Sequence, residues 1–362
     1  SLLGAAAATA AAPAAFANVP AAPAATPAYW PWFKHSEGVL KNWLVEQQGG
    51  PEWVKITPRF QASAGQTRKI MVMYPRPSSA YDIAISKILD VFADKTLNVE
   101  LTVTNFGLNE VRGRAALAAA HDEHFDLFMS MGSEATAWMW DRYRGGVLPV
   151  LSVCSKDPVV LGQSPGYNKG SGTNFAFTSL NMPIEAQMAY VNELKPRLRN
   201  IAILVDSRNV SAVETQSKPV IDYLRPRGVR VMELAVQDPN NAKAELERMM
   251  RDATAQMTRN DPDLTSSIYW VTGSTSVFRE IATINAHAGR AAVLSAVPDV
   301  VRGGDDSAVL SIGISFESNA HVAAVYAADL IRARAKASEL KVGLVSPPDI
   351  TINFRKVRDI GM

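Results

Sequence analysis

The stretch Arg199-Asn200-Ile201-Ala202-Ile203-Leu204-Val205-Asp206-Ser207-Arg208-Asn209-Val210-Ser211 decides the architecture of this 362-residue chain. Five apolar residues, Ile201 to Val205, run without alternation and then stop at a loop of carboxylate, hydroxyl, guanidinium and amide side chains. A run that short and that uniformly apolar reads as a strand covered on both faces, which is the habit of parallel sheets. Ser211 followed by Glu214 reads as a capping box, so a helix is expected next. Strand, polar loop and helix make one βα unit.

The same unit recurs on either side of it. Upstream, Ile70 to Met73, Val99 to Val103, Leu127 to Ser130 and Val147 to Val153 read as strands; downstream, Val229 to Leu234, Ile268 to Val271, Val293 to Ala296 and Val309 to Ile314 do. Between them apolar residues fall at helical spacing: Ala84, Ile88, Val91 and Phe92 in one segment, Ile184, Met188 and Val191 in another, with Pro183 suited to a first turn. Ser79 with Asp82 reads as a second capping box. The alternation predicts an α/β protein, and its length predicts two lobes.

Ahead of Arg68 the pattern changes. Residues 18–67 begin as an Ala/Pro linker and become a Trp-rich extension, with Tyr29, Trp30, Trp32, Phe33, Trp43 and Trp53 among turn residues; the rings are expected to pack on the main body. Residues 1–17 read as the remnant of an export signal. Leu2 to Ala17 is a small-residue apolar run ending Ala15-Phe16-Ala17, like an h-region with its cleavage site. Ser-Leu-Leu before the alanines resembles a twin-arginine signal. A periplasmic protein is therefore expected, and no later apolar run reaches the roughly 20 residues of a membrane helix.

Composition narrows the function. Lys and Arg number 37 against 35 Asp and Glu, a net charge of +2 with no basic stripe, which argues against nucleic acid as a partner. One cysteine, Cys154, and five histidines leave no zinc-ligand spacing; Cys154 reads as a buried thiol and His121-Asp122-Glu123-His124 as a solvated helix end. No Gly-x-Ser-x-Gly elbow and no Walker loop is present. No catalytic residue, metal or cofactor is expected.

Parallel sheets bind ligands beyond the carboxyl ends of their strands, so the loops there supply the candidate site. They offer Tyr74, Ser78 and Ser79; Gly132, Ser133 and Thr136; Ser155 and Asp157; Asp206 and Asn209; Thr272, Ser274 and Thr275; and Asp299. Hydroxyls, amides and glycine suit hydrogen bonding to a small polar molecule and supply no matched acid, base and nucleophile. Tyr74, Tyr81, Trp138 and Trp270 are candidates for a stacking face, with core packing as the alternative.

Three segments in this order, Asp157-Pro158-Val159, Arg199 to Val205 with its polar loop, and Ile352-Asn353-Phe354-Arg355-Lys356 with Ile360-Gly361, resemble the periplasmic substrate-binding proteins of ATP-binding-cassette importers, in the branch with tryptophan- and tyrosine-binding members. The resemblance covers Lys69 to Met362. It implies a type I periplasmic binding protein: two Rossmann-like lobes with parallel sheets, joined by a three-crossover hinge. The crossovers are expected near Thr173 to Asn181, Ser307 to Ser311 and Val342 to Pro348. That places 68–178 and 308–341 in the N-terminal lobe and 179–307 and 342–362 in the C-terminal lobe.

The resemblance further implies a monomeric receptor that closes on a small organic ligand, amino-acid-like, aromatic or carboxylate-bearing, and delivers it to an ABC permease. In such relatives the loop holding Gly132, Ser133 and Thr136 takes the ligand carboxylate. An acidic or amide residue commonly stands where this chain has Thr272-Gly273-Ser274-Thr275, so the usual ammonium anchor is missing there. The alternatives are a receptor feeding a membrane signalling partner and a secreted hydrolase, the latter without a general base.

Overall fold

The structure, a computed structural model, describes residues 26–304 and 306–362. The export-signal reading of 1–17 lies outside them. In chain order the elements are α1 (Val39–Asn42), β1 (Trp43–Gln47), β2 (Trp53–Pro58), β3 (Arg68–Tyr74), α2 (Ser79–Asp94), β4 (Val99–Asn105), α3 (Glu110–Asp122), β5 (Leu127–Met131), α4 (Gly132–Tyr143), β6 (Val150–Val153) and β7 (Phe175–Phe177). There follow α5 (Ile184–Leu194), β8 (Asn200–Asp206), α6 (Val210–Ala212), a π-helical turn over Val213–Ser217, α7 (Lys218–Leu224), β9 (Arg230–Val236), α8 (Ala242–Met257) and β10 (Ser267–Val271). The chain ends with α9 (Thr275–Phe278), α10 (Ile281–His287), β11 (Ala292–Ser295), β12 (Leu310–Gly313), α11 (Phe316–Ile331), β13 (Asp349–Ile352) and α12 (Phe354–Asp359).

Two sheets result, ordered β1-β2-β4-β3-β5-β6-β7 and β13-β12-β11-β10-β8-β9. Pairing is parallel except at one edge of each, where β1, β2 and β13 run antiparallel. The central strands β5, β8 and β10 are buried along their whole length, because helices cover both faces. All nine strands read from apolar runs are present. Among the parallel strands of each sheet the order reverses once, between β3 and β5 and between β8 and β10. A reversal opens a crevice at the strands' carboxyl ends, since the loops on either side of it leave toward opposite faces.

Four strands escaped the sequence reading. β1 and β2 form a hairpin in the Trp-rich extension and extend the first sheet past β4, so residues 43–58 are strand structure and not a loose extension. Only Val54 and Ile56 alternate clearly with outward residues, too short a pattern to stand out; the signal was Gly49-Gly50 in the turn, both at positive φ. Rings from this segment fill the space over α2. Phe33 and Trp43 are fully buried, and the Trp43 Nε1–H donates to the Leu89 carbonyl at 3.1 Å. β7 and β13, at three and four residues, are held by their neighbours.

Helix starts differ by a residue or two from the capping-box reading. The α2 cap is Ser78, whose Oγ accepts from Ala80 N–H, and Asn209 caps α6 through Ala212 N–H; Ser79 and Ser211 lie inside their helices. Pro183 is itself the residue before α5.

The chain passes between the sheets after β7, after β12 and before β13. The second passage falls later than Ser307 to Ser311, because Leu310–Gly313 pairs with β11 and β13 of the second sheet. Gly313 permits that strand to run close to its neighbour, since an added Cβ would overlap the Ala296 carbonyl oxygen. The first and third passages lie side by side: Ser179 N–H donates to Gly343 O at 3.0 Å and Gly343 N–H to Phe177 O at 2.8 Å. α11 then packs on α2 of the first lobe. Asp349 ties the second passage to the third, accepting from Ser315 N–H at 2.8 Å.

Candidate functional site

A cavity of about 570 Å³ lies between the lobes, at the carboxyl ends of β3, β5 and β6 on one side and β8 and β10 on the other. Both crevices created by strand-order reversal open into it. Side chains from the two lobes meet there directly: the Lys156 ammonium, from the loop after β6, donates to Ser211 Oγ in α6 at 3.3 Å.

Of the residues singled out from the sequence, Ser78, Ser133, Asp206, Asn209 and Thr275 line this cavity. Ser133 Oγ accepts from Lys156 N–H at 3.0 Å and from the Ser155 hydroxyl at 3.3 Å, which leaves its own proton for the cavity. The Asp206 carboxylate is already engaged, accepting from Ser276 Oγ–H at 2.7 Å and Arg208 N–H at 2.9 Å. Asn209 Oδ1 accepts from Ala212 N–H and the Ser211 hydroxyl.

The remaining residues sit behind or beside the cavity. Thr136 is fully buried between Ser130 Oγ, 2.8 Å away, and Ser152 Oγ, 3.0 Å away. Thr272 and Ser274 bond each other, and Ser274 Oγ accepts from Asp206 N–H, so they brace the loop. Asp157 caps its own turn, accepting from Val159 and Val160 N–H and from the Tyr167 hydroxyl. Ser155 is 1% exposed and faces Ser133, and Ser79 lines a separate surface groove against Lys34 and Asp82. Asp299 belongs to the hinge, where it accepts from Phe316 N–H at 3.4 Å. Burial raises its carboxyl pKa, and the Asp349 and Glu317 carboxylates raise it further.

Tyr74 lies one layer below the cavity. Its fully buried ring meets Tyr81 edge-on at 5.4 Å and touches Trp32 and Phe33 from the extension. Tyr81 reaches the cavity and presses on Gly132. Gly132 has φ +78°, and a Cβ there would overlap the Tyr81 hydroxyl, so glycine is required on two counts. Burial pushes the Tyr81 hydroxyl pKa up, helped by the Glu134 carboxylate. Trp138 and Trp270 are core residues: Trp138 packs on Phe106 at 5.0 Å and donates to Glu110, and Trp270 is fully buried inside the second sheet.

Apart from Asp206, the charged groups of the cavity were passed over. Arg76, Glu134, Lys156, Arg208 and Arg279 all line it. Arg76 pairs with Glu134, Arg208 with Asp238 at 3.5 Å and Arg279 with Glu280 at 3.4 Å. Lys156 is 8% exposed, and among the described residues no carboxylate lies within ion-pair distance of it. Burial lowers its pKa to about 8, against the opposing pull of Glu134. Cys154 is also buried beside the cavity, and desolvation drives its thiol pKa well up. Such a thiol is a poor nucleophile. Among the described residues no cluster of three or more His, Cys, Asp or Glu is placed to hold a metal.

The π-helical turn after α6 has a local cause. Pro219 has no N–H to return to Thr215 O four residues back, and Asn181 Nδ2–H, from the first passage between the lobes, donates to that carbonyl at 2.9 Å. The next residue, Gln216, then accepts from Gly273 N–H at 2.6 Å, joining the two loops of the second lobe.

No protein-family model matches the chain, and no curated protein matches it in sequence. Solved structures do match. A Streptococcus pneumonia ABC domain in complex with L-Trp aligns at TM-score 0.65 and 17% identity, over 82% of this chain and 95% of that one. A ligand-free, open substrate binding protein with adhesive properties from Clostridium difficile aligns at TM-score 0.59 and 14% identity, over 82% and 95%. The trehalose repressor from Escherichia coli aligns at TM-score 0.51 and 10% identity, over 78% and 99%. At these identities the likeness is one of fold: the chain has the type I periplasmic binding protein fold, two Rossmann-like lobes facing each other across a cleft.

Proposed function

We propose that this protein is a solute-binding receptor that closes its lobes on a small organic molecule in the cleft and presents it to a membrane permease of the ATP-binding-cassette type. One observation carries the reading. The cavity stands at the strand-order reversals of both sheets and is lined from both lobes, with Lys156 and Ser211 bridging it. A ligand there touches both lobes at once, so its binding energy favours the closed form over the open one. The buried hydroxyls and amides supply selectivity, because a polar group left unpaired by the wrong solute costs about 1–3 kcal/mol.

The groups around the cavity support binding without turnover. Ser133, Ser211 and Ser276 bond other hydroxyls, a lysine or a carboxylate that is itself engaged, and among the described residues no histidine lines the cavity. Export to the periplasm and a single-chain receptor complete the proposal. No helix among the described residues is long and apolar enough to cross a membrane.

The test is a thermal-shift screen of the unfolded and refolded protein against amino acids, aromatic acids, sugars and nucleosides, followed by small-angle X-ray scattering with each hit. A ligand at about 1,000 times its Kd adds roughly 4 kcal/mol, on the order of 10 °C at this chain length. The expected result is such a shift together with a smaller radius of gyration. A shift without compaction would refute lobe closure.

A further inference from the structure

A lysine ammonium in a closed interior normally has a carboxylate beside it, because desolvating an unpaired charge costs several kcal/mol. Lys156 is buried at the meeting point of the lobes with only the Ser211 hydroxyl at 3.3 Å. The other cations of the cavity, Arg76, Arg208 and Arg279, each have an acid. Its acids are equally committed: Glu134 to Arg76, and both oxygens of Asp206 to Ser276 and to the Arg208 backbone. Among the described residues the cavity thus holds a buried cation with no ion-pair partner, while each of its two carboxylates is already hydrogen-bonded. Its apolar wall carries the rings of Tyr81, Phe278 and Phe316 beside Ala80, Leu180 and Pro239.

We propose that the ligand is a small carboxylate with an apolar or aromatic body and no ammonium group, its carboxylate seated on Lys156 between Ser133 of one lobe and Ser211 of the other. This rests on the receptor reading above and assigns its ligand class. Lys156 is then the specificity-determining residue: it stabilises an acid and leaves the amino acid of the same skeleton with an unpaired ammonium. Uncapped by any side chain, the N-terminus of α4 at Gly132 and Ser133 adds partial positive charge on the same side.

The charge also makes binding depend on pH. Lys156 is faced by Glu134 on α4, Tyr81 on α2, Arg76 after β3, Cys154 on its own loop, Asp206 and Arg208 after β8, and Arg279 after α9. With the ammonium held to a pKa of about 8 by burial, an anion favours the protonated form, so affinity is full below that value and declines above it.

The experiment uses the full chain, refolded to strip bound solute, with three matched triplets of acid, amino acid and amine. They are 3-phenylpropionate, L-phenylalanine and phenethylamine; indole-3-propionate, L-tryptophan and tryptamine; hexanoate, L-norleucine and pentylamine. Calorimetry should find that the acid of at least one triplet binds about tenfold or more tightly than its amino acid, with the amine weakest. Lys156→Met should weaken that acid by about 30-fold or more. The free variant should melt no lower than the parent, since an unpaired buried charge has been removed. Lys156→Arg, which keeps the charge, should retain binding. The Kd of the parent should rise by about tenfold per pH unit above pH 8, and that of Lys156→Met should not.

An amino acid or amine binding as tightly as its acid overturns the ligand class and leaves the receptor standing; so does a neutral sugar or nucleoside binding where no acid does. Acid binding indifferent to Lys156→Met overturns the role of Lys156 alone. Silence from every triplet and from neutral sugars and nucleosides overturns both proposals.

Discussion

Single residues here do their work through what covers them. Asp82, in the first turn of α2, accepts from the backbone N–H of Lys34 at 3.0 Å, and the segment Lys34 to Ser36 covers part of it, leaving it half-buried beside a surface groove. That burial raises its carboxyl pKa from 3.8 to about 6, with the Lys34 hydrogen bond pulling the other way. A carboxyl raised in the folded state binds its proton more tightly there than when unfolded. Its contribution is therefore fully present only below about pH 3.8 and is lost as pH rises through about 6. Asp82→Asn keeps the acceptor and removes the titration, so the variant should melt higher than the parent at pH 7. The difference should shrink toward zero near pH 4, as read by calorimetric scans across that range. A constant difference would mean the carboxylate is not the titrating group. The sequence displayed Asp82 as a capping partner of Ser79; the strap that buries it comes from residues almost 50 positions earlier, which no local pattern announces.

At the scale of elements, short loops and helix starts decide the cleft, and a side chain of α11 decides how the lobes join it. Asn319 is fully buried and its Oδ1 accepts from Cys154 N–H at 2.9 Å and from the Thr178 hydroxyl at 3.1 Å, pinning the end of β6 to the first passage between lobes. Asn319→Ala leaves the Cys154 N–H buried and unpaired at about 1–3 kcal/mol, while the Thr178 hydroxyl keeps its bond to the Ser152 carbonyl at 2.9 Å. The expected loss is about 1–3 kcal/mol in urea unfolding, with Asn319→Asp as a second probe that keeps the acceptor. A loss below 1 kcal/mol would mean water replaces the amide. Apolar runs revealed the nine main strands because burial demands them, on both faces in the central strands β5, β8 and β10. β7 and β13 are too short to show a pattern, and the first sheet's hairpin showed only its glycine turn. Of the site, the loops were legible and their orientation was not. Lys156 stands between two residues that were chosen, yet only the twist of the chain after Val153, with Cys154 at φ +54°, sends the lysine into the cleft and the Asp157 carboxylate away from it.

The whole molecule depends on its amino-terminal extension as part of the first lobe. Phe33, Val39, Trp43, Val54 and Ile56 are fully buried there. Each contributes about 1.5–3 kcal/mol by leaving water, and together they rival the roughly 5–15 kcal/mol that holds a typical domain folded. A chain started at Arg68 should therefore be recovered mostly insoluble, with the edge of β4 and the face of α2 uncovered, as measured by soluble yield and dye binding to apolar surface. A soluble, cooperatively melting product would show that the hairpin is an accessory. By itself the sequence determined the βα alternation, the number of lobes and the polar loops at the strands' carboxyl ends, because apolar runs and turn residues answer to local burial and backbone geometry. Only the tertiary structure decided which of those loop residues face the cleft, where the chain recrosses between lobes, and that one lysine stands there without an acid. Those outcomes depend on contacts between segments such as Lys156 and Ser211, 55 positions apart, and such contacts exist only once both sheets are assembled.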